Sequence, residues 1–166
     1  MDLFKEFQEI CMQLNEENIV PTLMGSVGLE YRSRIDWKPS DIDIHVPGDP
    51  RGWDAPDELR IYDWDKINKI MNDLGYELID LHEHEFKKDN IHVEFGTIDS
   101  LYDFAGIKEE DISIEELNNS TFRVPNLKQF LAIYQASSKD SYRNENNNNK
   151  DFAKIDWIEM KIKSIL

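Results

Sequence analysis

The segment Asp41–Val46 constrains the fold more than any other part of the sequence. It reads Asp-Ile-Asp-Ile-His-Val, so polar and apolar side chains alternate along it. A period of two is typical of a strand with one buried and one open face, because successive side chains of a strand point to opposite sides. The pattern therefore predicts a strand that presents Asp41 and Asp43 on one face of a sheet and buries the intervening isoleucines on the other.

The patterns before and after this strand predict helices and strands in mixed order. Amphipathic helices are expected at 2–16, 57–74, 127–136 and 152–165, strands at 19–24, 76–86 and 91–98, and a short helix starting at Gly25. This order predicts an α+β fold, with a small mixed β-sheet flanked by helices and a helical C-terminal part. We expect an α/β core at 1–120 and a helical extension at 121–166 packed on it.

The charge balance limits the partners of the chain. It has 166 residues, with 34 acidic and 19 basic side chains and a net charge of −15. A field of this sign repels nucleic-acid phosphates and attracts cations. We therefore expect no long nucleic-acid partner, and a surface suited to metal ions or cationic small molecules.

The N-terminal segment and the single cysteine indicate a cytoplasmic protein. Cys11 recurs at helical spacing with Phe7, Ile10 and Leu14, which favours a packing role over a nucleophilic one. One cysteine cannot form an intrachain disulfide, so a reducing compartment is the simplest interpretation. The chain shows neither a signal-peptide pattern nor an apolar run of membrane-spanning length. We expect a soluble, cytoplasmic protein with no membrane partner.

Gly25 and Ser26 lie between a predicted strand and a predicted helix. Glycine allows a ligand to approach the backbone closely, and the N–H groups of a helix start together with a serine hydroxyl can hold phosphate oxygens. The alternative is a simple Gly-Ser helix cap.

Three carboxylates complete the set of candidate residues. Asp41 and Asp43 repel each other unless a cation lies between them, and oxygen ligands of this kind suit Mg²⁺. If the hairpin loop before residue 91 has an even number of residues, the alternation of side chains along the strands places Glu94 on the same face as Glu83 and Glu85. The alternatives are a chance Asp-x-Asp pair for the aspartates and the exposed face of a one-sided sheet for the glutamates.

Three segments together resemble the nucleotidyltransferase superfamily that includes DNA polymerase beta. They are Met-Gly-Ser at 24–26, Ser-Asp-Ile-Asp-Ile at 40–44 and His-Val-Glu-Phe at 92–95. The resemblance is greatest to the minimal members, namely aminoglycoside and lincosamide nucleotidyltransferases and those of toxin-antitoxin and abortive-infection systems. It covers about residues 19–98 strongly and the helical tail weakly.

The resemblance implies a role for each of these residues. Gly25 and Ser26 would bind a nucleoside triphosphate, Asp41 and Asp43 would bind metal, and Glu94 would be a third carboxylate that binds metal or acts as base. Two Mg²⁺ ions with the bound triphosphate are the implied cofactors, because two ions held by three carboxylates stabilise both the attacking and the leaving oxygens.

The basic residue that contacts the triphosphate is less well defined by the sequence. The family often carries a lysine in the first C-terminal helix, where this chain reads Leu-Ala-Ile-Tyr-Gln-Ala at 131–136. Lys150, with Asp151 and Asp156, resembles a pattern at the start of the family's last helix, and Arg32 is placed to line the phosphate entrance. Lys128, Lys139 and Arg143 remain open as further candidates.

Three functional hypotheses follow. The first is an enzyme that transfers a nucleoside monophosphate from a triphosphate to a hydroxyl of a small molecule, with a cationic antibiotic as one acceptor of this class, or of a protein. The second is a binding or regulatory module with this fold and little turnover, and the third is an antitoxin-like partner of another protein. A zinc site at His82 and His84 is disfavoured, because two ligands do not close a structural zinc site.

Overall fold

The computed structural model describes residues 2–139 and 150–165, which surround one mixed seven-stranded sheet. The strands are β1 (Thr22–Met24), β2 (Asp41–Val46), β3 (Glu77–Asp80), β4 (Glu85–Lys88), β5 (Ile91–Thr97), β6 (Ile114–Leu117) and β7 (Ser120–Arg123). Their order across the sheet is β3-β4-β5-β2-β1-β7-β6. The β2–β5 and β1–β7 pairs are parallel, and the other neighbours are antiparallel. The predicted α+β fold with a mixed sheet is confirmed.

Six α-helices lie in the described part of the chain. They are α1 (Leu3–Glu16), α2 (Gly25–Ser33), α3 (Trp64–Asp73), α4 (Leu101–Ala105), α5 (Leu127–Ser138) and α6 (Lys150–Ile165). The start of α1 is capped by Asp2, whose side chain accepts a hydrogen bond from the Lys5 amide at 3.1 Å. Cys11 is fully buried on this helix, as its spacing predicted, and its Sγ lies 3.2 Å from the Thr121 carbonyl oxygen. No described helix has the length and apolar character needed to cross a membrane.

The apolar face of the central strands supplies most of the core. Ile42 and Ile44 on β2 are fully buried, as are Val93 on β5 and Phe86 on β4. Trp64 of α3 packs on this cluster, with its ring centroid 5.6 Å from that of Phe86. Because side chains alternate along each strand, burial of this face leaves the opposite face of β2 and β5 to the polar residues.

Two predicted elements differ from the observed ones. The helix expected at 57–74 begins only at Trp64, and the strand expected at 76–86 is divided into β3 and β4. Arg60 explains both differences. Its buried guanidinium donates to the His82 carbonyl oxygen at 2.6 Å and to Asp57 at 2.7 Å, which holds the preceding residues in turns against the β3–β4 connection.

Two strands of the sheet lie in a part of the chain where no element was predicted. They are β6 and β7, between Ile114 and Arg123. Thr22 of β1 pairs with Arg123 of β7, so the last strand is part of the same sheet as the candidate residues. The next helix, α5, begins at Leu127.

Replacement of Arg60 by methionine is expected to destabilise the fold by about 2–4 kcal/mol, since it leaves Asp57 and the His82 carbonyl without their buried partner. Urea denaturation measures the change in the free energy of unfolding. Arg51→Met is the matched control, because the Arg51 side chain is 59% exposed and its salt bridge within the described part of the chain is to nearby Asp49. We expect that control to change stability by less than about 0.5 kcal/mol; equal effects of the two substitutions would contradict the structural role of Arg60.

Candidate active site

Asp43 and Glu94 face each other across the two central strands. The parallel register of β2 and β5 pairs Asp43 with Glu94 and, two residues earlier, Asp41 with His92. Neighbouring strands lie about 4.8 Å apart, so paired side chains on one face are close neighbours. The structure thus brings two of the three predicted carboxylates directly together, with Asp41 more exposed at the start of the same face.

The concentration of negative charge on this face alters Glu94. Burial, the largest cause, and the carboxylates of Asp43, Asp41 and Glu85 together raise the pKa of its carboxyl to about 8. Glu85 lies directly opposite Glu94 on β4. A proton or a metal cation at this position relieves the repulsion.

Gly25 brings the start of α2 against Asp43. Met24, the last residue of β1, pairs with Asp43, and the chain then turns into the helix at Gly25 with φ of +62°. A Cβ atom at position 25 would lie 3.0 Å from the Cβ of Asp43, so glycine is needed for both the dihedral angle and the space. Met24 provides no side-chain cap, and the first N–H groups of α2 therefore lack a side-chain partner at that end.

Lys154, on the C-terminal helix α6, is a further candidate residue. Its Nζ donates a hydrogen bond to Ser26 Oγ at 2.8 Å and lies 5.1 Å from the centroid of the Tyr134 ring. Lys154 was not among the predicted site residues, although it lies one helical turn after Lys150 in the segment that resembles the family pattern. Lys128 and Lys139 are exposed on or beside α5, and Arg143 lies outside the described residues.

Arg32 does not lie with the carboxylates. It is in the last turn of α2, about 10 Å along the helix axis from Gly25 at 1.5 Å per residue. Its guanidinium bonds Glu115 at 2.8 Å, Ser113 at 2.6 Å, and the carbonyl oxygens of Val124 and Pro125 at 2.8 and 2.9 Å. These partners place Arg32 between α2 and the strands β6 and β7, and its contact with phosphate stays a prediction. The side chain of Lys150 lies outside the described part of the structure.

Three of the four histidines already have polar partners. His92 donates from Nδ1 to Glu85 at 2.6 Å, and His82 contacts Asp57 at 3.0 Å through its Nδ1. His84 is buried, with Nε2 donating to the Asp57 carbonyl and Nδ1 accepting from Arg60, and burial lowers its pKa. Asp57 is therefore the shared partner of His82, through its carboxylate, and of His84, through its carbonyl oxygen.

The fourth histidine, His45, was not among the predicted site residues. It follows Asp43 by two residues on β2 and shares its face, with Nε2 3.7 Å from Asp43 Oδ1. Burial lowers the pKa of the imidazole, against the opposing effect of Asp43. The alternation that identified Asp41 and Asp43 also placed His45 on the carboxylate face, so the signal was present in the sequence.

The donor set fits a hard cation that is completed by a substrate. Among the described residues, no three His, Cys, Asp or Glu side chains already converge as a metal-binding group. Mg²⁺ is commonly bound through one or two carboxylates together with substrate phosphates and water, and such a site has no closed protein cage. The Asp43–Glu94 pair and the close approach of Gly25 to Asp43 are consistent with that kind of site.

Comparison with known proteins relates the whole chain to one protein sequence and to one fold. The chain is 34% identical over 167 aligned residues to the uncharacterized protein YnaI of Bacillus subtilis (strain 168), covering 99% of this chain and 100% of YnaI. No family model matches it.

Two solved structures of the antibiotic-resistance factor ANT(2'')-Ia share the fold. The solution structure has a TM-score of 0.54 and covers 99% of this chain and 94% of the neighbour. The crystal structure, a complex with adenylyl-2''-tobramycin, has a TM-score of 0.53 and covers 96% of each chain. Sequence identity is 12% in both cases, so the similarity establishes the fold.

The raised pKa of Glu94 predicts how stability depends on pH in metal-free buffer. Between its ordinary pKa of 4.5 and about 8, folded Glu94 keeps a proton that the unfolded chain loses. The native state then binds more protons, so this group's contribution to the free energy of unfolding falls as pH rises through that window. Glu94→Gln removes the penalty and is expected to be more stable than the wild type, by on the order of 1–2 kcal/mol above pH 8 after allowance for its partial exposure.

Urea denaturation with a chelator present, from about pH 4 to about pH 9, measures this difference. Glu77→Gln makes the same charge change at an exposed position of β3 and serves as the control. The effect of the carboxylates on Glu94 would be contradicted by either of two results. The increase in the free energy of unfolding on Glu94→Gln could be constant with pH, or it could be no larger than the increase on Glu77→Gln.

Proposed function

This chain belongs to the family of the Bacillus subtilis protein YnaI, and we propose that it is a metal-dependent nucleotidyltransferase that moves a nucleoside monophosphate from a nucleoside triphosphate to a hydroxyl group. One observation carries the proposal. Asp43 faces Glu94 across β2 and β5, and the start of α2 approaches Asp43 so closely that only glycine fits at position 25.

The triphosphate is assigned to the start of α2. N–H groups at the start of a helix, with the positive end of the helix dipole, favour phosphate oxygens. Ser26 contributes its hydroxyl, and Lys154 contributes a positive charge at the same point, since its Nζ is already 2.8 Å from Ser26 Oγ. On nucleotide binding, Lys154 shifts its hydrogen bond from Ser26 to a phosphate oxygen.

The metal is assigned to the carboxylate face. Asp43 and Glu94 would hold it, with Asp41 as the further carboxylate on the same strand face. When bound, Mg²⁺ supplies charge neutralisation and in-line alignment of the triphosphate, which phosphoryl-type transfer requires more than covalent catalysis.

One bond forms and one bond breaks at the α-phosphorus in the transfer step. The acceptor oxygen forms a bond to the α-phosphorus, the bond from the α-phosphorus to the bridging oxygen breaks, and pyrophosphate leaves with that electron pair. The proton of the acceptor hydroxyl passes to water, because the metal would hold Glu94 as an ionised ligand.

The acceptor is assigned to the class of small hydroxyl-bearing molecules. The net charge of −15 and the carboxylate face favour a cationic molecule over a polynucleotide. A protein hydroxyl is the remaining acceptor class, and acceptor screening with small molecules distinguishes the two.

Asp43→Asn tests the carboxylate site directly. Titration calorimetry with ATP, GTP, CTP and UTP in Mg²⁺ is expected to show binding of at least one nucleotide to the wild type. The variant should lose at least about tenfold in affinity, since it removes a charge that the metal requires. The control is Asp80→Asn, which makes the same change at an exposed position at the end of β3 and should bind as the wild type does.

Pyrophosphate release in the presence of candidate acceptors then separates an enzyme from a binding module. Metal-dependent nucleotide binding without pyrophosphate release from any acceptor would favour the regulatory alternative. Absence of nucleotide binding by the folded wild-type protein would overturn the proposal.

Lys154→Met tests the assignment of the phosphate cation. The substitution keeps the length of the side chain and removes its charge, and we expect at least about a tenfold weaker binding of the nucleoside triphosphate, equivalent to about 1.4 kcal/mol. Binding of the nucleoside should change much less, because the lost contact is to phosphate. Lys161→Met, at an exposed position on the same helix, is the control. Equal effects of the two variants would contradict the role of Lys154.

A further inference from the structure

The ammonium group of Lys154 lies between a hydroxyl group on one helix and an aromatic ring on another. Its Nζ donates a hydrogen bond to Ser26 Oγ, 2.8 Å away in the first turn of α2. The same Nζ lies over the Tyr134 ring of α5, 5.1 Å from the ring centroid. Because Lys154 belongs to α6, three helices meet at this one positive charge.

The Tyr134 ring is fixed in position by a buried neighbour. Tyr134 is 3% exposed, and Phe130, one helical turn earlier on α5, is fully buried. The two rings stack with their centroids 6.0 Å apart and their planes 19° apart. Phe130 also lies against α2, since a Cβ atom at Gly28 would be 3.0 Å from its Cζ. The ring beneath the Lys154 ammonium therefore has a defined position relative to α2.

The physical chemistry of the ring makes it a support for the ammonium. The face of an aromatic ring carries partial negative charge, so it attracts an ammonium within about 6 Å of its centroid, and the attraction is stronger where water is excluded. A lysine side chain is long and flexible, and fixing it during binding opposes binding because conformational freedom is lost. A lysine that is already held over a buried ring loses less of that freedom when a ligand binds.

We propose that Tyr134 is a positioning residue that holds the Lys154 ammonium at the start of α2, where the triphosphate binds. The inference rests on the proposed function, which assigns phosphate oxygens to Ser26 and Lys154, and it adds the ring on which the position of the cation depends. When a phosphate oxygen replaces the Ser26 hydroxyl as the partner of Nζ, the ammonium stays over the ring. Tyr134 thus acts on the triphosphate through Lys154.

A packing role for Tyr134 makes a different prediction. Its ring belongs to the main hydrophobic core, so its removal lowers stability in either case. If the ring only packs, its removal changes triphosphate affinity by the same factor whether or not Lys154 is present. If the ring positions Lys154, its effect on affinity disappears once the lysine has been replaced. A double-mutant cycle therefore separates the two roles.

The experiment measures triphosphate binding by titration calorimetry in the presence of Mg²⁺. The probes are inorganic triphosphate, which carries no base, and the nucleoside triphosphate that the wild type binds most tightly. The full chain is compared with Tyr134→Leu, Tyr134→Phe, Lys154→Met and the double variant of Tyr134→Leu with Lys154→Met, each checked for folding by circular dichroism. Tyr102→Leu is the matched control, since Lys108 Nζ lies over the Tyr102 ring at 5.6 Å on a different helix, α4.

We expect Tyr134→Leu to weaken triphosphate binding at least about fivefold, because the attraction of the ring for the ammonium is lost. Tyr134→Phe keeps the ring and should bind within about twofold of the wild type. Adding Tyr134→Leu to Lys154→Met should change the affinity by less than about twofold. Tyr102→Leu should bind as the wild type does. Unchanged binding by Tyr134→Leu would overturn the inference, as would an equal loss with and without Lys154.

Two further outcomes separate this inference from the proposed function. Triphosphate binding that weakens in Lys154→Met and not in Tyr134→Leu would leave the phosphate cation in place and exclude the ring. Absence of triphosphate binding by the folded wild type would overturn both.

If Tyr134→Leu fails to fold, pentafluorophenylalanine at position 134 decides the question. Fluorination reverses the charge distribution of the ring and keeps most of its shape, so a positioning role predicts binding at least about fivefold weaker than that of Tyr134→Phe. A packing role predicts equal binding by these two proteins, and that result would overturn the inference.

Discussion

The parallel pairing of β2 with β5 is the constraint on which the rest of the site depends. It places Asp43 opposite Glu94 and His45 opposite Gly96, so that one face of two strands carries the candidate metal donors. The repulsion between the carboxylates is tolerated because the other face is anchored by buried apolar residues, among them Ile42 and Val93. Hydrophobic burial on one side of the sheet thus holds together charges that would otherwise separate on the other.

Glycine makes the site compact at two points around the carboxylates. At Gly25 the missing side chain lets the start of α2 reach Asp43, and at Gly96 it lets the His45 ring lie over β5. The first position opens the N–H groups at the start of α2, and the second leaves room for the imidazole ring beside β5. A strand, a helix start and a histidine are brought together by the absence of two side chains.

The C-terminal helix is part of the site as well as of the core. Ile158 of α6 is fully buried, Trp157 packs edge-on against Trp37 at 6.0 Å, and Lys154 reaches Ser26. Trp37 belongs to the connection between α2 and β2, which leads directly into the carboxylate strand. Docking of α6 therefore fixes both Lys154 at Ser26 and the entry to β2, which links the helical extension to the candidate site.

The sequence by itself determined the local features: the alternation of β2, the glycine at the start of α2, and the burial of α1 through Cys11. These follow from side-chain periodicity and backbone freedom, which act over a few residues. Only the tertiary structure decided that Glu94 lies opposite Asp43, that Lys154 and not Arg32 stands at Ser26, and that Arg60 shortens α3. Each depends on contacts between residues far apart in the chain, and single-chain periodicity carries no information about which distant partner satisfies a charge or a hydrogen bond.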